Sequence, residues 1–384
     1  MVCGWNQILR FFNVNAINKN KKKILVICPF PQGEAAGQRL KYEQYFELWK
    51  RSGYEVTVSC FMDQSLWQIV YSKGNYLKKI FGVLRGLFRR FLDLFRLYKF
   101  DIVYVFMWGT PFGSSLYERI LRKLSKKVIY DIEDNVMMQQ SNPLNPIMRL
   151  LRGPGKTTFL IKKSDHIITS SPFLNKYALG INLLNSATYI SSSVNINQFI
   201  PCNSYSNKKI ITLGWTGTFT SKEYLDLLAP TLLKLSQRLK FKLRIIGNFE
   251  YSLPGVDTEV IQWTKENEAS DLQGIDIGLY PLPQNDWVLG KSGLKAIQYM
   301  AFGLPTVATN VGTTPEIIEH MQNGILVNNE SEWDHYLEML INDPSLRRSL
   351  GEKARETVKM KYSTDVIGSE YVAVLNSLQG ERNG

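Results

Sequence analysis

Residues 286–316 read DWVLGKSGLKAIQYMAFGLPTVATNVGTTPE, and the local signals in this stretch change in an order that few folds accept. Gly290, Lys291, Ser292 and Gly293 make a small basic turn, after which Leu294, Ile297 and Met300 recur at helical spacing. Residues 302–305 read as a second turn, and 306–309 (TVAT) as a short strand of the kind buried in a parallel sheet. Turn, helix, turn and buried strand together form one unit of a layered α/β domain. The helix start also suits an anion, because the first N–H groups of a helix lack intrahelical partners and glycine lets a ligand approach the backbone. Lys291 and Lys295 add positive charge there, although lysines near a helix start are often simply solvated.

The same alternation runs through the rest of the chain. Residues 23–28 read as a buried strand, followed by a loop, then Ala36, Gly37, Gln38 and Arg39 leading into a helix through Trp49, and a further strand over 54–58. The loop does not have dinucleotide-fingerprint spacing. Arg39, at a helix start, either faces a cleft and a phosphate or is merely exposed. Strands are predicted over 101–106 and 127–134, with Trp108 in the loop beyond the first and Asp131, Glu133 and Asp134 ending the second. Such carboxylates orient sugar hydroxyls or move protons; a metal site or simple capping are the competing readings. GPGKTT at 153–158 lacks the first glycine of a phosphate loop, and His166 reads as structural within a strand.

With 384 residues and 44% hydrophobic content, the chain has material for two cores. The polar stretch 191–207 is the expected linker, giving a tail at 1–20, one domain at 21–190 and a second at 191–363. In the second, a strand at 209–215 leads to the ligand loop Thr216, Gly217 and Thr218, a helix over 224–239 that carries Lys222 just ahead of it, and strands at 242–246, 259–263 (ending in Trp263) and 275–282. Helices follow from Pro344 and over 364–378.

Net charge is +12, and it is uneven: residues 1–190 hold 28 Lys and Arg against 12 Asp and Glu. The first half therefore seeks an anionic surface. Segment 78–99, KKIFGVLRGLFRRFLDLFRLYK, puts Ile80, Leu84, Leu87, Phe88, Phe91, Phe95 and Tyr98 on one helical stripe beside Lys78, Arg85, Arg89, Arg90 and Arg96, with Asp93 the single acid. This suits a helix lying on an anionic membrane, and equally a core-packing helix with solvated arginines. No nucleic-acid-binding motif accompanies the charge, so nucleic acid is not an expected partner. The four cysteines have no metal spacing, which fits a reduced cytosolic compartment. No signal peptide is read at the N-terminus, and no apolar run reaches the roughly 18 residues of a membrane span.

Residues 290–316, GKSGLKAIQYMAFGLPTVATNVGTTPE, resemble the donor-binding signature of glycosyltransferase family 4. The resemblance implies the B-type glycosyltransferase fold, in which two Rossmann-like domains with parallel sheets face one another across a cleft and a terminal helix (364–384) returns to the first domain. It also implies a retaining transfer from a nucleotide-diphosphate sugar to a glycan or lipid-linked acceptor, as in polysaccharide or lipopolysaccharide biosynthesis. No metal or cofactor would be required. The enzyme would work in the cytoplasm or on the inner face of the plasma membrane. The implied donor site comprises Thr216, Gly217, Thr218, Lys222, Trp263, Gly290, Lys291, Ser292, Gly293, Leu294, Lys295 and Gln298, with Lys291 and Lys295 stabilising the departing diphosphate. Gly37, Arg39, Trp108, Asp131, Glu133 and Asp134 line the cleft or acceptor side, and no base is named. The family's two glutamates, with seven residues between them, fall on Gly290 and Gln298. Gln298 still offers an acceptor and donors for ribose hydroxyls, whereas Gly290 has no side chain to hold the donor sugar. Two other readings use the same fold: a nucleotide-sugar epimerase, and a non-catalytic nucleotide-sugar-binding partner of another transferase.

Overall fold

The computed structural model describes residues 21–111, 114–134, 155–201 and 210–379. The expectations for the 1–20 tail, for Cys3 and Cys202, and for the turn at 153–154 fall outside these residues.

Two six-stranded parallel sheets form the framework. The first holds β1 (Lys22–Cys28), β2 (Tyr54–Cys60), β3 (Ile102–Phe106), β4 (Val128–Ile132), β5 (His166–Thr169) and β6 (Ala187–Tyr189), in the order β2-β1-β3-β4-β5-β6. The second holds β7 (Ile211–Thr216), β8 (Phe241–Gly247), β9 (Asp257–Gln262), β10 (Ile277–Tyr280), β11 (Thr306–Thr309) and β12 (Ile325–Val327), in the order β12-β11-β10-β7-β8-β9. In each sheet the chain starts near the middle, winds outward and then crosses back. The carboxyl ends of β1 and β3, and of β7 and β10, are therefore the points where loops diverge and a crevice opens.

Both faces of each sheet are covered, which is why the strands read as unbroken apolar runs. Along β1, Ile24, Val26 and Cys28 join one core while Leu25 and Ile27 join the core on the opposite face. The period of two continues in β3, where Tyr104 and Phe106 share the first core and Val103 and Val105 the second.

Two expected helices are broken. Residues 36–49 divide into Ala36–Arg39, a 3-10 turn at Glu43–Tyr45, and Phe46–Arg51. Gln38, Lys41, Tyr42, Glu43, Tyr45 and Phe46 are all buried, more neighbours than one helical face can turn inward. Residues 224–239 divide into Lys222–Asp226 and Ala229–Ser236, with Pro230 starting the second piece because it has no N–H to continue the first.

The Thr364–Ser377 helix leaves the second domain and packs into the first, where Ile367, Tyr371, Val374 and Leu375 share a core with Tyr45, Trp49 and Tyr104. The Tyr54 hydroxyl donates to Asn376 Oδ1 at 2.8 Å. A lone bridge between Val194 and Ser363 marks where the chain passes between domains in both directions. His166 is buried against the Ser186 and Thr188 hydroxyls, and burial pushes its imidazole down to about 4.

Candidate active site in the cleft between the domains

The Leu294–Ala301 helix starts at Gly293, whose φ of +73° favours glycine. A Cβ there would also stand 2.3 Å from Ile317 Cδ1. No side chain caps the helix, and its first bond runs from Ile297 N–H to the Gly293 carbonyl at 3.2 Å. The amides of Leu294, Lys295 and Ala296 therefore have no intrahelical acceptor, which is the geometry that favours an anion. Ala296, Ile297, Tyr299 and Met300 hold the helix in the core. The Tyr299 hydroxyl accepts from Thr216 N–H at 2.8 Å, tying it to the end of β7.

The two lysines of this turn sit in different surroundings. Lys291 Nζ meets Asp134 Oδ1 of the first domain at 3.1 Å and lies 5.5 Å from the Trp287 ring centre. Burial works against its charge, but Asp134 outweighs it and the pKa is raised. Lys295 Nζ lies 4.7 Å from the Trp215 ring centre. Burial, with repulsion from Lys291, brings its pKa down to about 7. An arriving diphosphate would restore that lost charge.

A second set of contacts crosses the cleft beside it. Arg39 Nη2 pairs with Glu268 Oε2 at 2.8 Å, and Gln298 Nε2 reaches the other oxygen of Glu268 at 3.4 Å. Lys265 Nζ donates to the Gly33 carbonyl at 2.7 Å, and Ser170 Oγ donates to the Gly290 carbonyl at 3.2 Å. Gly290 thus contributes backbone where the family pattern has a carboxylate. Gly37 lies against Glu133: a Cβ on it would stand 2.5 Å from Glu133 Oε2. Burial raises the Glu133 carboxyl to about 7 despite Lys41, with Asp134 and Asp131 adding to the rise. Such a group can give or take a proton near neutrality.

The structure places other expected residues away from this cluster. Asp131 is fully buried, bonded to Lys41 and to the Tyr104 hydroxyl, and does not reach the cleft. The reason is the strand period: Asp131 and Ile129 point to the same face of β4, toward Tyr104. The amides of Thr216, Gly217 and Thr218 are taken by the Tyr299 hydroxyl, the Ile246 carbonyl and Ser221 Oγ, so they are not open to a phosphate. Lys222 pairs with Asp226 at 3.2 Å and lies 5.2 Å from the Tyr251 ring centre. Trp263 is packed against the second-domain core, and Trp108 meets the Phe61 ring edge-on at 5.5 Å. Ser292 is half-buried in the turn. Sequence reasoning missed Glu268, Lys265 and Ser170, which lie in stretches without a motif. Among the described residues, no group of His, Cys, Asp and Glu side chains is placed to hold a metal ion.

Residues 210–343 match the family model described as glycosyl transferases group 1. The match marks the second domain as a glycosyltransferase domain. N-acetyl-alpha-D-glucosaminyl L-malate synthase of Bacillus anthracis is 34% identical over 95 residues, which cover 24% of this chain and 25% of that relative. The alignment thus spans about a quarter of the relative's length. Among solved structures, sucrose-phosphate synthase from Thermosynechococcus elongatus superposes with a TM-score of 0.70 at 15% identity, covering 94% of this chain and all of that one. The Anabaena protein HepE in complex with UDP and glucose gives a TM-score of 0.66 at 13% identity, covering 93% of this chain and all of HepE. The chain therefore has the B-type glycosyltransferase fold.

Proposed function

We propose that the protein is a retaining glycosyltransferase of family 4 type, moving a sugar from a nucleotide-diphosphate sugar to a glycan or lipid-linked acceptor of cell-surface polysaccharide or lipopolysaccharide. The observation that carries the reading is the uncapped helix start at Leu294, flanked by Lys291 and Lys295, at the cleft face of a glycosyltransferase domain. The UDP held by HepE supports a nucleoside diphosphate as the group seated there. In the transfer, the bond from the sugar's anomeric carbon to the diphosphate breaks and one to the acceptor oxygen forms. The acceptor proton passes to the leaving diphosphate on the same face. Lys291, Lys295 and the helix amides stabilise the charge that develops on the diphosphate, an effect worth roughly 2.7–4 kcal/mol per lost donor group in known oxyanion sites. Gln298, steadied by Glu268, takes the ribose hydroxyls. The resemblance further supports transfer without metal or cofactor, in the cytoplasm.

The test is release of nucleoside diphosphate from UDP-, GDP- and ADP-sugars, with membrane extract as the acceptor source. Acceptor-dependent release from one donor supports the reading, and Lys291→Ala is expected to slow it by about 10²–10³ while leaving the circular dichroism melt unchanged. Gly290, in place of a carboxylate, favours one alternative, a non-catalytic sugar-nucleotide-binding partner. Tight donor binding without turnover across varied acceptors would establish that alternative.

A further inference from the structure

The Tyr76–Leu94 helix is amphipathic, but its apolar side faces outward. Gly82, Gly86, Arg90 and Asp93 are its buried residues, whereas Leu77, Phe81, Phe88, Phe91 and Phe95 are each more than half exposed. The glycines allow close packing: a Cβ on Gly82 would stand 2.9 Å from Leu66 Cδ1, and one on Gly86 2.8 Å from the Phe61 carbonyl oxygen. Arg90 then fixes the rotation. Its Nε donates to the Gly109 carbonyl at 2.6 Å, Nη1 to Ser59 Oγ at 2.9 Å and Asp93 Oδ2 at 3.1 Å, and Nη2 to the Cys28 carbonyl at 2.8 Å. Turning the helix to bury its phenylalanines would carry Arg90 and Asp93 out into water and leave the buried Gly109, Ser59 and Cys28 acceptors without that guanidinium, at the desolvation cost of each unpaired group. The outward apolar face is therefore built into the fold.

Cations border that face. Lys73, Lys78 and Lys99 are exposed, Arg85 pairs with Asp63 at 3.2 Å, and the only acid between residues 71 and 99 is the buried Asp93. We infer that this face lies in the interfacial layer of an anionic membrane, with the phenylalanines among the acyl chains and the lysines against acidic headgroups. A second copy of the chain is disfavoured by charge, because a two-fold contact would set the same cations against each other. No helix among the described residues is long and apolar enough to cross a bilayer, so the element lies flat.

The orientation follows from topology. This helix carries the chain from the carboxyl end of β2 back to the start of β3, so its Tyr76 end lies where the cleft opens. The preceding Gln64–Val70 helix is on the same side, since Trp67 meets Phe30 of the β1 loop at 5.2 Å. A lipid-linked acceptor held in that membrane would present its head group at the cleft mouth. That consequence rests on the transferase reading, whereas membrane binding does not.

The experiment is co-sedimentation of the full chain with phosphatidylglycerol/phosphatidylcholine vesicles and with phosphatidylcholine alone, at low and high salt. Binding is expected on the acidic vesicles, at least tenfold weaker on the neutral ones, and weakened by salt. The triple variant Phe81→Ser, Phe88→Ser, Phe91→Ser, with an unchanged thermal melt, is expected to bind at least tenfold less, and so is Lys78→Glu with Lys99→Glu. No binding to acidic vesicles at low salt, or equal binding by the triple variant, overturns the inference. A dimer in sedimentation velocity that the triple variant abolishes, without vesicle binding, assigns the face to a second copy instead. Nucleoside diphosphate release on a detergent-dispersed acceptor, measured on the same samples, separates failure of membrane docking from failure of the transferase reading.

Discussion

Burial reinforced by a like charge brings both Lys295 and Glu133 to pKa values near 7, the lysine from above and the carboxyl from below, with different consequences. Lys295 binds an anion best when protonated, so above about pH 7 donor binding must take up a proton. Affinity for a nucleoside diphosphate is expected to weaken as pH rises from 7, by at most about tenfold per unit, and Lys295→Gln should flatten the profile. Calorimetric titration in two buffers of different ionisation enthalpy reads the proton uptake directly. Glu133 acts on stability instead. Its carboxyl is raised from 4.5 to about 7, so between those values the folded chain holds a proton that the unfolded chain has released. Its contribution therefore falls as pH rises through that window. Thermal melts should show Glu133→Gln gaining on the native protein between pH 5 and pH 8; a constant difference would mean the carboxyl is not buried in its charged form.

At the scale of elements, the Tyr76–Leu94 helix separates what holds the fold from what the surface displays. Arg90→Ala is expected to cost about 1–3 kcal/mol in chemical denaturation, because the buried carbonyls of Cys28 and Gly109 lose its guanidinium while Asp93 keeps Arg96 and Ser59, whereas Phe88→Ser should stay within roughly 0.5 kcal/mol. The sequence shows this helix and its stripe but not which side is turned in. Periodicity identifies two faces, and the partners that choose between them, the carbonyls of Cys28, Ser59 and Gly109, come from other strands and loops. By contrast, β11 spans the same residues, 306–309, in sequence and structure, because a short apolar run between a Gly-Leu-Pro turn and a second loop has few other outcomes. Within the cleft, the basic glycine turn was legible from adjacent residues alone. The Arg39, Glu268 and Gln298 cluster was not, since Arg39 and Glu268 are 229 positions apart. Asp131 was misplaced because three acids in four residues look alike until the strand's end is known to fall at Ile132.

At the scale of the whole molecule, the two domains meet through a few polar bridges and share one helix. Lys291 with Asp134 and Arg39 with Glu268 are partly exposed ion pairs, the kind that salt weakens and a ligand can replace. The Thr364–Ser377 helix is different, because it is part of the first domain's core. Tyr371 packs against Tyr45 and Trp49 with ring centres 5.0 and 6.1 Å apart. Tyr371→Ala is expected to cost about 3–5 kcal/mol, as for other large-to-small core changes, and near-ultraviolet circular dichroism should show the loss in the first domain's aromatic cluster.

The same helix sets an order of events during translation. The first domain leaves the ribosome well before the second, yet one wall of its core is encoded by residues 364–377. Until those residues clear the exit tunnel, Tyr45, Trp49 and Tyr104 have nothing to cover them on that side. The domain made first is thus the one completed last, and a ribosome stalled anywhere within the second domain carries an unfinished first domain exposed to chaperones and proteases.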